Sequence, residues 1–289
     1  MFCIVTDSSS NIEKSVLDRN GISSVPFSYN LEGNDTLCPA SDEFDGHDYY
    51  DKIRGGEKVT TSQVPPQRYI DYIEPLLKNG SDVLYVGMSS GISGSYNSAE
   101  IAAKQLREEY PERKIRLVDT LAASLGEGLL VLKAAELREA GKSIDAVADT
   151  LLELRKNMIQ IFTVGDLMHL TRTGRLSNLA GVIGVVLHIK PLLKGNDEGK
   201  IVCFAKIRGR RASLEAMAKK YDELVVDAGE QTVGIAHTDC AEDAELLAQL
   251  LRRNNPPRDI MTVCYEPVTG SHVGPDTVAF FFMGKGRDF

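Results

Sequence analysis

The apolar run Val83-Leu84-Tyr85-Val86 stops at Gly87 and gives way to Met88-Ser89-Ser90-Gly91-Ile92-Ser93-Gly94-Ser95-Tyr96. Beyond it Ala99, Ile101, Ala102 and Leu106 fall at helical spacing. The first part reads as a buried strand, the last as one face of a helix, and the small residues between them as a tight turn. A helix start has unpaired backbone N–H groups and a partial positive charge, so hydroxyls gathered there can seat an anion. The same serines also serve as ordinary caps, and a single turn of this kind does not choose between the two.

The pattern recurs. Phe2-Cys3-Ile4-Val5-Thr6 reads as a strand ending in Asp7-Ser8-Ser9-Ser10-Asn11, with a helix expected from Ser10 or Asn11 and Glu13 in its first turn. A second strand is expected over Ser24 to Tyr29, followed by a polar excursion from Glu32 to Asp42. Val59 to Pro66 leads into the amphipathic run Tyr69, Ile70, Ile73, Leu76, Leu77, which places Thr61 and Ser62 just before a helix start, where proline is tolerated. Val118-Asp119-Thr120 ends another strand ahead of a long helix pattern, Leu129 to Ala140, and Ile144 to Arg155 reads as one more helix. Alternation of this kind predicts an α/β fold, mainly a parallel sheet with helices on both faces, whose ligands bind at the carboxyl ends of strands. Asp7, Ser62, Ser93 and Asp119 are all expected in strand-end loops and can converge on one edge.

A chain of 289 residues is long for one domain. The boundary is placed at Lys156-Asn157, giving an N-terminal α/β domain over 1–156 and a C-terminal α/β domain over 157–289. In the second half, strands are expected over Ile159–Val164, Lys200–Ile207, Thr232–His237, Ile260–Tyr265 and Val278–Met283. Helices are expected over Asp166–His169, Leu179–Leu187, Ser213–Val226 and Ala241–Arg253. Thr269-Gly270-Ser271-His272-Val273-Gly274-Pro275 reads as a turn that carries an imidazole.

A net charge of −8 excludes nucleic acid as a general partner, because neutralising phosphates needs a surplus of Lys and Arg. The five cysteines form no Cys-x-x-Cys pair, and Cys3, Cys203 and Cys264 fall in apolar runs where reduced core thiols are usual. Met1 leads straight into a strand with no signal-like segment, so a cytoplasmic protein is expected. The longest apolar stretch, Leu179 to Leu193, is interrupted by His188 and Lys190 and is shorter than the roughly 20 residues of a membrane span.

Nucleotide loops are missing, and the histidines His47, His169, His188, His237 and His272 never pair at metal-ligand spacing, so neither a nucleotide cradle nor a metal site is expected. Gly91-Ile92-Ser93-Gly94-Ser95 is not a G-x-S-x-G elbow. What remains is a set of neutral donors, Thr61, Ser62, Ser93, Ser95 and the N–H of Gly94, together with His272. Such a set suits holding an anion. The other reading is a hydrolase or transferase that uses the same loops on a small carboxylated or phosphorylated metabolite, and a third is a regulatory interaction protein.

In order along the chain, Val5-Thr6-Asp7-Ser8, Thr61-Ser62-Gln63, Ser89-Ser90-Gly91-Ile92-Ser93-Gly94-Ser95-Tyr96, Val118-Asp119-Thr120 with Gly126 and Gly128, Thr173-Gly174-Arg175-Leu176-Ser177, Ile189-Lys190-Pro191-Leu192-Leu193, Arg208-Gly209-Arg210-Arg211 and His272-Val273-Gly274-Pro275 resemble the DegV family. These are bacterial fatty-acid-binding proteins that include the FakB subunits of fatty acid kinase. The resemblance implies a carrier and not an enzyme. It implies one long-chain fatty acid in a tunnel between two domains, its carboxylate held by Thr61, Ser62, Ser93 with Gly94, and His272, with no cofactor or metal. It also implies a separate ATP-dependent kinase subunit as partner, docking at Arg175, Arg208, Arg210 and Arg211. A monomer with transient membrane contact completes the expectation. Two positions depart from the pattern: Asp276 stands where Gly commonly follows the Pro, and Thr173 where a second Gly is usual.

Overall fold

The structure, a computed structural model, describes residues 2–176 and 189–289. The chain opens with strand β1 (Phe2–Asp7), helix α1 (Lys14–Arg19) and β2 (Ile22–Val25), then makes an excursion through β3 (Ser28–Leu31), β4 (Asn34–Leu37), α2 (Gly46–Arg54) and β5 (Val59–Ser62). It continues with α3 (Pro66–Lys78), β6 (Asp82–Gly87), α4 (Ser95–Glu109), β7 (Ile115–Asp119), α5 (Leu125–Glu139) and α6 (Ile144–Leu154). Strands β2, β1, β6 and β7 form a four-stranded parallel sheet in that order, and β4-β3-β5 form a small antiparallel sheet.

The second half comprises β8 (Met158–Thr163), α7 (Leu167–Arg172), β9 (Ile189–Gly195), β10 (Ile201–Arg208), α8 (Arg210–Leu224), β11 (Thr232–His237), α9 (Ala241–Leu251), β12 (Asp259–Cys264), α10 (Pro267–Val273) and β13 (Val278–Met283). Its sheet has the order β10-β9-β8-β13-β11-β12, antiparallel except for the β11–β12 pair. The fold is α/β, with a parallel sheet in the first half and a mixed sheet in the second.

Helix α5 is the element the two sheets share. Its Leu125, Leu130, Val131, Ala134 and Ala135 are almost wholly buried, and each large aliphatic side chain so buried contributes about 1.5–3 kcal/mol. They join Ile4 and Leu84 of the first sheet and Phe162, Ala236, Ala279 and Phe281 of the second in one apolar cluster. Small residues make the approach close enough. A Cβ on Gly128 would stand 2.4 Å from the Ser10 carbonyl, and one on Gly234 2.7 Å from the Leu125 Cβ.

Several expectations are corrected. The run Ser24 to Tyr29 is not one strand, because Pro26 has no N–H for a ladder. The chain leaves the parallel sheet at Val25 and re-enters pairing at Ser28 in the antiparallel one. The polar excursion holds β4, joined to β3 by Glu32 and Gly33 at φ 55° and 84°, the two left-handed positions of a type I′ hairpin turn. After Asp7 the chain makes a 3₁₀ turn over Ser8–Ser10, Asn11 adopts φ 55°, and α1 starts only at Lys14 with Glu13 as its cap residue. Thr61 and Ser62 end a strand and do not abut a helix start, since α3 begins at Pro66. His272 lies in the last turn of α10 and not in a loop. The strand over Ile189–Gly195 was not read from the sequence. The helix expected over Leu179–Leu187 lies outside the described residues, as does Ser177.

Candidate functional site

A cavity of about 190 Å³ opens where the two sheets meet α10, and Thr61, Ser62, Ser93, Gly94, His272 and Arg175 all stand in its wall. The remaining wall is mainly apolar, with Phe27, Met88 and Ile92 from the first half and Phe162, Val268 and Phe281 from the second. Here the carboxyl ends of β5 and β6 face α10 and β8. The sequence set of hydroxyl and imidazole groups is therefore gathered at one place.

The geometry of the donors is specific. Thr61 Oγ1 lies 2.8 Å from His272 Nε2. Ser93 Oγ donates to Ser95 Oγ at 3.0 Å and accepts from the Ser95 N–H at 3.2 Å, at the first residue of α4. Ser95 Oγ in turn accepts the Val64 N–H at 3.1 Å, which ties the strand carrying Thr61 to the serine loop. Ser62 is exposed at the mouth.

Burial pushes the His272 imidazole down to about 4, and the neighbouring Arg175 and His169 press it the same way. The ring is therefore neutral at pH 7, with one N–H and one lone pair. Its Nδ1 is buried with no partner among the described residues. A bare lone pair there costs less than a bare N–H, so the ring proton belongs on Nε2, donating to Thr61. The Thr61 hydroxyl proton is then free to turn into the cavity toward an anion.

The loops are braced from beneath. Asp7 and Asp119, expected at the same edge, are absent from the cavity wall and hold it up instead. Asp119 accepts from Ser90 N–H, Ser90 Oγ and Leu121 N–H at 3.2, 2.6 and 3.0 Å. Asp7 is fully buried and accepts from Met88 N–H at 3.2 Å. Across the cavity Ser89 Oγ donates to the Gly199 carbonyl at 2.9 Å. Gly199 has φ +71°, and a Cβ there would lie 2.0 Å from that hydroxyl oxygen.

Arg175, read from the sequence as a docking residue, stands in the cavity wall, where Nη1 donates to the Thr173 carbonyl at 2.6 Å. The premise of donors without a cation is therefore revised. Arg210 donates through Nε to Asp243 at 2.8 Å, Arg211 pairs with Glu215 at 3.0 Å, and Arg208 is exposed at the end of β10. These three are not in the cavity wall.

Sequence reading missed Gln160, whose Nε2 donates to the Leu121 carbonyl and whose Oε1 accepts from the Ala123 N–H, both at 3.1 Å. It clamps the start of α5 to β8 and lines the cavity. Its one signal was an amide inside the apolar run Ile159-Gln160-Ile161. Thr269, also in the wall, has a buried Oγ1 with no partner among the described residues. A grouping of His47, Asp51 and Asp239 has metal-ligand proximity, but Arg54 already donates to both carboxylates, at 2.7 and 2.5 Å.

The fold and site define an α/β protein of three sheets with a mainly apolar cavity lined at one place by hydroxyls, an imidazole and Arg175. The model of the family described as "Uncharacterised protein, DegV family" matches residues 1–285, and the chain belongs to the DegV family. A DegV domain-containing protein of Clostridium perfringens is 40% identical over 287 residues, covering 99% of both chains. Among solved structures, a DegV family protein from Thermus thermophilus, described by its fatty acid binding, is 30% identical with a TM-score of 0.89. That match covers 98% of this chain and 99% of the other. DegV from Bacillus subtilis, described as a fatty acid binding protein, is 29% identical with a TM-score of 0.83, again over 98% and 99%.

Proposed function

We propose that this protein binds one long-chain fatty acid in the cavity between its halves, divided at Lys156-Asn157. Thr61, Ser62, Ser93 with the Gly94 N–H, and His272 hold the carboxylate. The observation that carries the reading is the Thr61–His272 pair with Ser93 at the end of a mainly apolar cavity. The solved DegV relatives described as fatty acid binding support it.

The energetics divide the work. Burying a chain of ~14 methylenes contributes on the order of 11 kcal/mol before ordering costs. A hydrogen bond to the carboxylate adds about 1.5–3 kcal/mol. The tail sets affinity, and the donors set orientation.

The Thr61–His272 pair could also be read as a nucleophile and its base. Two features speak against that. An imidazole held near 4 is a poor base at neutral pH, and its Nδ1 has no carboxylate to orient it among the described residues. The protein therefore acts as a carrier. We infer that it presents the acyl group to a separate ATP-dependent kinase that forms the acyl phosphate, with Arg175, Arg208, Arg210 and Arg211 as docking candidates.

Native mass spectrometry and lipid extraction of the purified protein test the binding. A co-purifying fatty acid, or saturable binding of a fluorescent one, is the expected result. Neither being found would overturn the reading.

A further inference from the structure

Two carboxylates, Asp7 and Glu127, meet in the centre of the molecule, each wholly buried. Glu127 lies in the first turn of α5, between the close-packed Gly126 and Gly128. Ser9 stands between the two acids. Its Oγ is 2.6 Å from Asp7 Oδ1 and 2.5 Å from Glu127 Oε2. A hydroxyl has one proton, so it can donate to only one of them. The other short contact requires a proton from the carboxyl side.

Counting donors places that proton. Asp7 receives the Ser9 N–H at 3.0 Å, the Tyr85 hydroxyl at 2.7 Å and the Met88 N–H at 3.2 Å. With Ser9 Oγ it is furnished as an ionised carboxylate. Among the described residues, Glu127 has only the Thr6 hydroxyl, at 3.0 Å on Oε1, as a second partner. We propose that Glu127 carries a proton on Oε2 in the folded protein and donates it to Ser9, which donates to Asp7. Glu127 is thereby a positioning residue for the two loops above it. One loop hangs from Asp7 through Met88, and the other, Ala122–Ala123, leads into α5. Met88, Ala122 and Ala123 all line the cavity.

The surroundings agree. Burial raises both acids, but at Asp7 the donors from Ser9, Tyr85 and Met88 oppose it, whereas at Glu127 the Asp7 charge adds to it and pushes that carboxyl well above the usual range. The groups facing it are Asp7 on β1, Tyr85 on β6, Tyr69 on α3 and Glu266 ahead of α10. Asp7 and Glu266 act with negative charge, which favours the protonated form. The unfolded chain releases this proton above about pH 4.3, whereas the folded protein keeps it. Stability from the network is therefore fully present below that pH and declines as pH rises toward the raised folded value.

Glu127→Gln keeps the shape and replaces the carboxyl O–H donor with an amide N–H, so it mimics the protonated acid permanently. In the full chain labelled with [13C]glutamate, wild type is expected to show a side-chain carboxyl resonance at the protonated position at pH 7 that Glu127→Gln removes. Glu127→Gln is also expected to gain melting temperature over wild type as pH rises. Asp7→Asn, which removes the charge and sets an amide donor where one carboxylate oxygen accepts, is expected to lose stability at every pH. If Glu127→Gln fails to fold, Ser9→Ala is expected to move the same resonance. None of these arms rests on the fatty-acid reading. Absence of the protonated resonance, or Asp7→Asn being silent while Glu127→Gln is destabilised, would overturn the assignment.

Discussion

The imidazole Nε2 of His272 lies 2.8 Å from the hydroxyl oxygen of Thr61, although 211 positions separate them. One group ends a strand of the small antiparallel sheet and the other ends a short helix of the second half. Their meeting gives a neutral, prepaired donor to the end of an otherwise greasy space.

Because Ser93 offers one of several donors, Ser93→Ala should weaken fatty-acid binding without abolishing it. Loss of one charged hydrogen bond, about 1.5–3 kcal/mol, corresponds to roughly 10- to 100-fold in Kd. Competition against a fluorescent fatty acid measures it. An unchanged Kd would remove Ser93 from the head-group site.

Filling the cavity acts on the burial of the acyl chain, which outweighs any one head-group bond. Ala123 lines the cavity, and Ala123→Phe should abolish binding while a cooperative thermal transition persists. A variant that melts normally yet still binds at wild-type affinity would place the acyl chain elsewhere.

The neutral His272 gives an acid limit. Its pKa is held at about 4 in the fold, below the roughly 6.5 of an unfolded histidine. Its contribution is therefore present above about pH 6.5 and is lost as pH falls toward 4, because the unfolded chain binds the extra proton first. The melting temperature of wild type should drop faster than that of His272→Gln across this window. Parallel curves would contradict the assignment.

Asp276 occupies a left-handed conformation at φ 60° and accepts from Arg54 Nη2 at 2.8 Å. Asp276→Gly removes a backbone strain of about 1 kcal/mol and a partly exposed ion pair worth about 0–1 kcal/mol. The two effects nearly cancel, so thermal denaturation should change little. Asp276→Ala keeps the strain and loses the pair, and should cost about 1 kcal/mol. If Gly and Ala melt alike, the positive φ is not the controlling factor.

Gly199→Ala should be more severe. It forces a side chain into a left-handed conformation and into the Ser89 hydroxyl, a clash and strain costing about 1–3 kcal/mol together. Differential scanning calorimetry should show a lowered melting temperature, and wild-type melting would show that the Gly199 turn adapts freely.

Much of this was legible from local pattern. The expected strands Thr232–His237 and Val278–Met283 match β11 and β13 residue for residue. The hydroxyl positions Thr61, Ser62 and Ser93 were visible as small polar residues closing apolar runs. Other features left weaker traces. The strand over Ile189–Gly195 continues a long apolar stretch without a helical or alternating period, so nothing set it apart from its flanks. Pro26 marked a break that the flanking apolar residues disguised. Gln160 looked like one polar residue in a strand, and nothing in its neighbours announced the carbonyl and N–H at the head of α5.

Local sequence was enough to set most of the segments that become strands and helices, which residues are apolar enough to be interior, and which hydroxyls end those segments. These depend on neighbours within a few positions, where periodicity and turn chemistry act. It took the packed chain to bring Thr61 to His272, to draw Arg175 into the cavity wall while Arg210 turns to Asp243, and to set Asp7 and Glu127 on one hydroxyl. Those pairings follow from how two sheets close on α5, and the free energy of that closure is spread over the whole core.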